Sequence, residues 1–223
     1  MPRGEACLDA SLTRIPAALP QTHRGEACLD GQIYPKIPEA MPPMFRISRD
    51  RPAYYLTSVT KDRLPVFRTE AIARIVCNVM EEARRSARFL IFAYVIMLDH
   101  LHLVTDGRLE SRDIHRYVNG IVSRRVIDYL KANGHEASLE KLREERRSDG
   151  STYSLWSHHP DTRLLWNEQM LWQRIQYTHL NPVRAGLVDH PNDWTWSSAR
   201  IFHQRRADDE PLKLDLDRIV WRN

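Results

Sequence analysis

Residues 89–105 read FLIFAYVIMLDHLHLVT. Phe89–Met97 is an unbroken apolar and aromatic run, the pattern of a strand buried on both faces. Leu98 and Asp99 interrupt it. His100–Thr105 then alternates in character and reads as the antiparallel partner. A hairpin in the middle of the chain, with helical periodicity on both sides, decides the fold class.

Upstream, Thr69–Ser86 carries Ile72, Ile75, Val76, Val79, Met80 and Ala83 on one helical face, with Thr69 as N-cap. Before it, Ala53–Thr60 (AYYLTSVT) is rich in aromatic and β-branched residues and predicts a strand. Downstream, Ser111–Asn133 has Ile114, Tyr117, Ile121, Val122, Tyr129 and Leu130 at helical spacing, and Gly134 supplies the stop. The highly charged Glu136–Gly150 reads as a surface excursion, and Thr152–His158 (TYSLWSH) as a further strand. Glu168–Leu180 is a helix expected to end at Asn181, because the residue before a proline disfavours the α conformation. The order β-α-β-β-α-β-α predicts an α+β fold of ferredoxin-like type, an antiparallel sheet sandwiched by helices.

The chain has 223 residues, which sets an expectation of one domain with appendages. With 42% hydrophobic and 28% charged residues it reads as soluble and globular, and no apolar run is long enough to span a membrane. The first residues lack a basic start followed by an apolar core, so no secretory leader is expected and a cytoplasmic location is. Cys7, Cys28 and Cys77 form no CxxC pair and suggest neither a disulfide framework nor a cysteine metal site. The formal charge of +4 permits a nucleic-acid partner without arguing for one.

The heptapeptide Arg-Gly-Glu-Ala-Cys-Leu-Asp occurs at Arg3–Asp9 and again at Arg24–Asp30. Two short copies separated by Pro16 and Pro20 cannot stack into a shared core. The expectation is a disordered tail over 1–44, with Pro35–Pro52 as a proline-rich linker, a folded domain over 45–200 and a C-terminal extension over 201–223.

Two elements point to chemistry. His100 and His102 lie two apart on a strand, so both imidazoles point to one face and can reach one cation, while Leu101 points into the core. Tyr177 and Asn181 lie four apart on a helix and share a face; Gln176, Thr178 and His179 make a polar neighbourhood for the tyrosine. Taken separately, each also fits a bland role: an incidental His-x-His pair, and a half-buried tyrosine with Asn181 as a helix cap.

Together, Phe92–Asp106, Ile175–Val188 and Trp194–Ser198 (WTWSS) resemble the single-tyrosine transposases of the HUH superfamily, in particular the REP-associated branch. An aromatic strand leads into His-hydrophobic-His, and the tyrosine helix runs into Asn-Pro-Val-Arg. The resemblance implies that His100 and His102 bind a divalent cation, Mg²⁺ or Mn²⁺, with Asn181 as a third ligand. It implies that Tyr177 is the nucleophile of a single-stranded DNA endonuclease and strand transferase acting on hairpin-containing DNA. The turn before the first histidine departs from the family, having Leu98-Asp99 where Pro-Asn or Pro-Glu is common, and this bears on metal affinity.

The chemistry suits the residues. A tyrosine that attacks phosphorus keeps the bond energy in a 5′-phosphotyrosine ester, so no nucleotide cofactor is needed. The ordinary tyrosine pKa of about 10 makes it a poor nucleophile, which a cation on the scissile phosphate offsets. Arg174, one turn before Tyr177, and Arg184 beyond it are candidates for phosphate contact, as are Arg124 and Arg125 on the long helix among Arg112, Arg116 and Lys131. Trp194 and Trp196 are candidates for stacking on unpaired bases. Solvated helix faces and core packing are the competing roles for these arginines and tryptophans. A second class of function is a domesticated nucleic-acid-binding protein that keeps the fold and no longer cuts. A monomer or a homodimer is expected.

Overall fold

A computed structural model describes residues 44–144, 152–157, 160–203 and 210–220, together with the backbone of 28–29 and 32–33. The first copy of the heptapeptide and most of the expected tail lie outside the described residues. Within the tail, β1 (Cys28–Leu29) pairs antiparallel with β2 (Gln32–Ile33).

The folded part begins with β3 (Ala53–Val59), α1 (Glu70–Ala87), β4 (Ile91–Ile96), β5 (His100–Thr105) and α2 (Ser111–Ala132). These follow the sequence pattern closely, down to the Thr69 side chain accepting the Ile72 N–H at the start of α1. After α2 the chain forms α3 (Glu136–Leu142), β6 (Asp161–Leu165), α4 (Glu168–Arg184) and the single turn α5 (Ala199–Phe202). The main sheet has the order β4-β5-β3-β6 and is antiparallel throughout. Since β5 runs against both of its neighbours, β3 and β4 run in the same direction with β5 between them. This is the split β-α-β arrangement of a ferredoxin-like fold.

The sheet separates two apolar layers. Leu101 and Leu103 of β5, with Tyr54 and Leu56 of β3, pack against α1 and α2. The opposite face buries Tyr55, Val104 and Leu165 under Leu171 and Ile175 of α4. Fully burying one such aliphatic side chain stabilises the fold by about 1.5–3 kcal/mol, so two layers suffice to fix the sheet between its helices. Strand β4 is last in the sheet yet buried along its whole length. Its outer edge is covered by the segment after α4: the Ile96 N–H donates to Trp196 O at 2.8 Å, the Ser198 N–H donates to Tyr94 O at 3.0 Å, and the Trp194 ring N–H donates to Ile96 O at 2.9 Å.

Three expectations are corrected. Within Glu136–Gly150, residues 136–142 form α3, because Leu139 and Leu142 supply a short buried stripe beneath the charge. The expected strand Thr152–His158 is not formed over its described residues, 152–157, where Tyr153 and Trp156 make only isolated bridges to Arg143 and Thr60; the strand is Asp161–Leu165, and His158 lies outside the described residues. An edge strand with one face toward solvent needs no apolar run, and DTRLL has none. Finally, α4 passes through Pro182 to Arg184. Proline withdraws the N–H that would bond Thr178 O. The Asn181 side-chain amide compensates, lying 2.8 Å from Tyr177 O and 3.5 Å from Thr178 O.

The flanking segments join the same cores. Phe45 and Ile47, expected within a linker, are buried. The Phe45 N–H donates to Arg218 O at 2.7 Å, and the Val220 N–H donates to Phe45 O at 2.9 Å. Within the stretch expected as a C-terminal extension, Leu212 and Ile219 are buried, and the Asp215 carboxylate accepts from Ile91 N–H at 3.0 Å and from Arg84 at 2.7 Å.

Candidate active site

His100, His102 and Val104 project from the α4 side of β5, as the alternation of a strand requires. Directly opposite on β3 stand Val59, Thr57 and Tyr55, because Thr57 pairs with His102 and Val59 with His100. Helix α4 lies over this face on Leu171 and Ile175. The same helical turns therefore carry Arg174, Tyr177 and Asn181 along one side of the helix.

The result is a compact cluster of rings. The His100 and His102 ring centroids are 4.8 Å apart at 74°. Tyr177 stands edge-on to His102 at 6.0 Å and to Tyr55 at 6.1 Å. The Arg184 guanidinium sits 4.8 Å from the centre of the Tyr177 ring, and that of Arg174 lies 5.7 Å from Tyr177 and 5.3 Å from Tyr55. Two cations thus flank the one phenol, an arrangement that attracts an anion.

The two imidazoles are oriented by their outer nitrogens. His100 Nδ1 lies 2.5 Å from Asp99 Oδ1, while Asp99 Oδ2 accepts from Arg63 at 3.0 Å. Burial would raise the Asp99 pKa, but hydrogen bonding and charge from His100, and then from Arg63, hold it below its ordinary value. His102 Nδ1 lies 2.8 Å from the Tyr55 hydroxyl and 3.0 Å from Thr57 Oγ1. His102 is 6% exposed, and burial, with the charges of His100 and Arg174, pushes its pKa down to about 3. At neutral pH it is a neutral imidazole, the form that can donate to a cation. In each histidine one ring nitrogen is engaged by a fixed partner, which leaves the other as donor, the usual construction of a ligating histidine. Among the described residues no group of three or more His, Cys, Asp or Glu side chains is placed to hold a metal ion. The imidazole pair is what could meet a cation here, and such a cation would fill its remaining positions with water and phosphate oxygen.

Asn181 shares the Tyr177 side of α4, but its amide nitrogen is turned back onto the helix backbone. The polar residues that flank Tyr177 in sequence also have structural roles. The Thr178 hydroxyl donates to Arg174 O at 2.8 Å, and His179 Nε2 lies 2.8 Å from Ser198 Oγ with its ring against Phe202. The arginines divide into two groups. Arg174 and Arg184 belong to the cluster. Arg124 and Arg125 lie on α2, in the layer across the sheet, where Arg125 forms a two-point ion pair with Glu82 at 2.9 and 2.6 Å. Trp194 and Trp196 cover the edge of β4, with Arg74 stacked 5.5 Å from the Trp196 ring. Sequence reasoning missed Tyr55 and Thr57. Their only signal is alternation within β3, and it becomes informative once the register with His102 is known.

No family model matches the chain, and no curated protein matches it. Among solved structures, a REP-associated tyrosine transposase bound to a REP hairpin is similar with a TM-score of 0.51 and 16% identity, over 76% of this chain and 87% of that one. A Deinococcus radiodurans R1 protein assigned as a transposase is similar with a TM-score of 0.39 and 19% identity, over 57% of this chain and 88% of that one. The first of these establishes the likeness of fold.

Proposed function

We propose that this protein is a transposase-like single-strand DNA endonuclease and strand transferase, with Tyr177 as its nucleophile and hairpin-bearing DNA as its substrate. The observation that carries this reading is the convergence of two histidines, one tyrosine and two arginines from separate elements onto one face of the sheet. The fold shared with the hairpin-bound transposase supports it.

Tyr177 Oη attacks the scissile phosphorus. The new bond is P–O(Tyr), the P–O3′ bond breaks, the phenol proton is released and the leaving 3′-oxygen takes one up. The products are a 5′-phosphotyrosine and a free 3′-hydroxyl, and reversal by another 3′-hydroxyl rejoins a strand. Arg184 and Arg174 neutralise charge gathered on the phosphate and on the attacking oxygen. Tyr55 and Thr57 hold His102, and Asp99 holds His100, so both rings present fixed donors. A divalent cation such as Mg²⁺ or Mn²⁺, bound by His100 and His102, would supply Lewis-acid polarisation of the phosphate. The Asn181 amide nitrogen bonds the helix backbone and supports α4 through Pro182, and its carbonyl oxygen is the atom that would meet such a cation.

The test is a covalent adduct. Labelled single-stranded DNA carrying a hairpin is incubated with the protein and Mg²⁺ or Mn²⁺ and run on a denaturing gel. An adduct that EDTA prevents and Tyr177→Phe abolishes is expected. Absence of any adduct with DNA from beside the gene would overturn strand transfer and leave a DNA-binding protein of the same fold.

A further inference from the structure

A groove of about 770 Å³ runs between α2 and the segment 152–157, on the face of the sheet opposite the histidines. Its α2 wall carries Arg112, Arg116, Arg124 and Lys131, and Asp128 is the one carboxylate among the described lining residues. The four cations fall within an arc of about 120° and span about 28 Å of helix. Arg116 keeps 73% of its side chain exposed even with Asp113 3.5 Å away. The other wall presents Tyr153, with Lys131 Nζ 5.1 Å from its ring, and Trp156, whose ring N–H donates to Asn119 O at 2.8 Å.

The α2 wall of this groove holds a second observation. Gly120 lies in the middle of α2, and a Cβ there would meet nothing within 4 Å. Packing inside the protein does not require glycine, and an exposed mid-helix glycine costs about 1 kcal/mol relative to alanine. What the position does offer is bare backbone at the centre of a cationic stripe, where an extended anion can approach closely.

We infer that the groove is a second DNA contact that grips the phosphate backbone of the substrate away from the bond being cut; this rests on the reading of the protein as a DNA strand transferase. Position supports it. Trp156 on the groove wall bridges Thr60, and the preceding residue, Val59, pairs with His100. Groove and histidines therefore share one end of β3 on opposite faces, so DNA passing around that end reaches both. Four cations in line match a polyanion better than a small ligand.

Binding alone tests this, in the Tyr177→Phe background, by fluorescence anisotropy over a salt series. The probes are a labelled DNA hairpin with a single-stranded flank and the flank by itself. The double substitution Arg112→Ala with Arg124→Ala is expected to weaken the hairpin probe about tenfold or more. The salt slope should fall by about 1.8 if the groove holds duplex and by about 1.4 if it holds single strand. A loss confined to the hairpin probe assigns the stem, and an equal loss on both assigns the flank. Gly120→Gln is expected to raise the melting temperature and yet weaken binding. Arg85→Ala, an exposed change on α1, serves as the charge control. Unchanged affinity and slope in the double variant, or an equal loss with Arg85→Ala, would overturn the groove. Absence of adduct in the wild type together with an intact groove effect would overturn strand transfer and leave the groove standing.

Discussion

The Arg184 guanidinium lies 4.8 Å from the centre of the Tyr177 ring, on the last residue of a helix that continues through Pro182. Had the helix stopped before the proline, Arg184 would not be held by the same rigid element as Tyr177. Arg184→Ala is expected to slow adduct formation by about 10- to 100-fold at saturating DNA. Arg184→Lys should recover only part of the loss, since an ammonium keeps the charge without the planar stack. Single-turnover adduct rates, read beside DNA affinity, check this. A loss of affinity with an unchanged rate at saturation would contradict it.

Asn181 replaces a helical donor that Pro182 lacks. Asn181→Ala is expected to destabilise the protein by about 1 kcal/mol, because two helix carbonyls lose a side-chain donor. Adduct yield should fall with the fraying of α4 and should not be restored by raising the Mn²⁺ concentration. Urea unfolding and a metal titration of adduct yield measure the two effects, and full recovery at high Mn²⁺ would assign Asn181 to the metal instead.

The Tyr55 hydroxyl fixes His102 through its Nδ1, 2.8 Å away. Tyr55→Phe is expected to weaken Mn²⁺ binding roughly 10- to 100-fold by freeing the ring's orientation, with little change in melting temperature, since the Thr57 hydroxyl stays within 3.0 Å of Nδ1. Isothermal titration with Mn²⁺, without DNA, reads this directly.

His179 makes stability depend on pH. Burial, aided by the charge of His203, lowers its folded pKa from the ordinary 6.5 to about 4. In an unfolded chain the ring takes its proton near the ordinary value, while the folded ring takes it only near the lower one. Between the two the unfolded state binds more protons. The stability is therefore fully present above about pH 6.5, falls as pH drops through the window, and levels off below about pH 4. The difference amounts to about 3 kcal/mol at most. His179→Gln, which can still bond Ser198, should flatten the fall in unfolding free energy between neutral pH and about pH 4.5. His102 and His115 have the same sign and will leave a residual slope.

By itself, the sequence determined the central hairpin, the two long helices with the Thr69 cap of one and the Gly134 stop of the other, and the sharing of a face by His100 with His102 and by Tyr177 with Asn181. These are properties of period 2 and period 3.6, and local geometry alone carries them. Only the tertiary structure decided what those faces meet. The register of β3 against β5 set Tyr55 and Thr57 on His102. The docking of α4 on that face brought Tyr177, Arg174 and Arg184 to the histidines, and left Arg124 and Arg125 across the sheet. Trp194 and Trp196 were drawn to the edge of β4, where unpaired backbone and apolar surface needed cover. Edge strand β6 and helix α3 escaped the pattern because each buries too few residues to impose a period. The segment through Pro182 escaped because the rule against it is local, and the Asn181 amide that answers it is a side chain whose direction only the folded helix reveals.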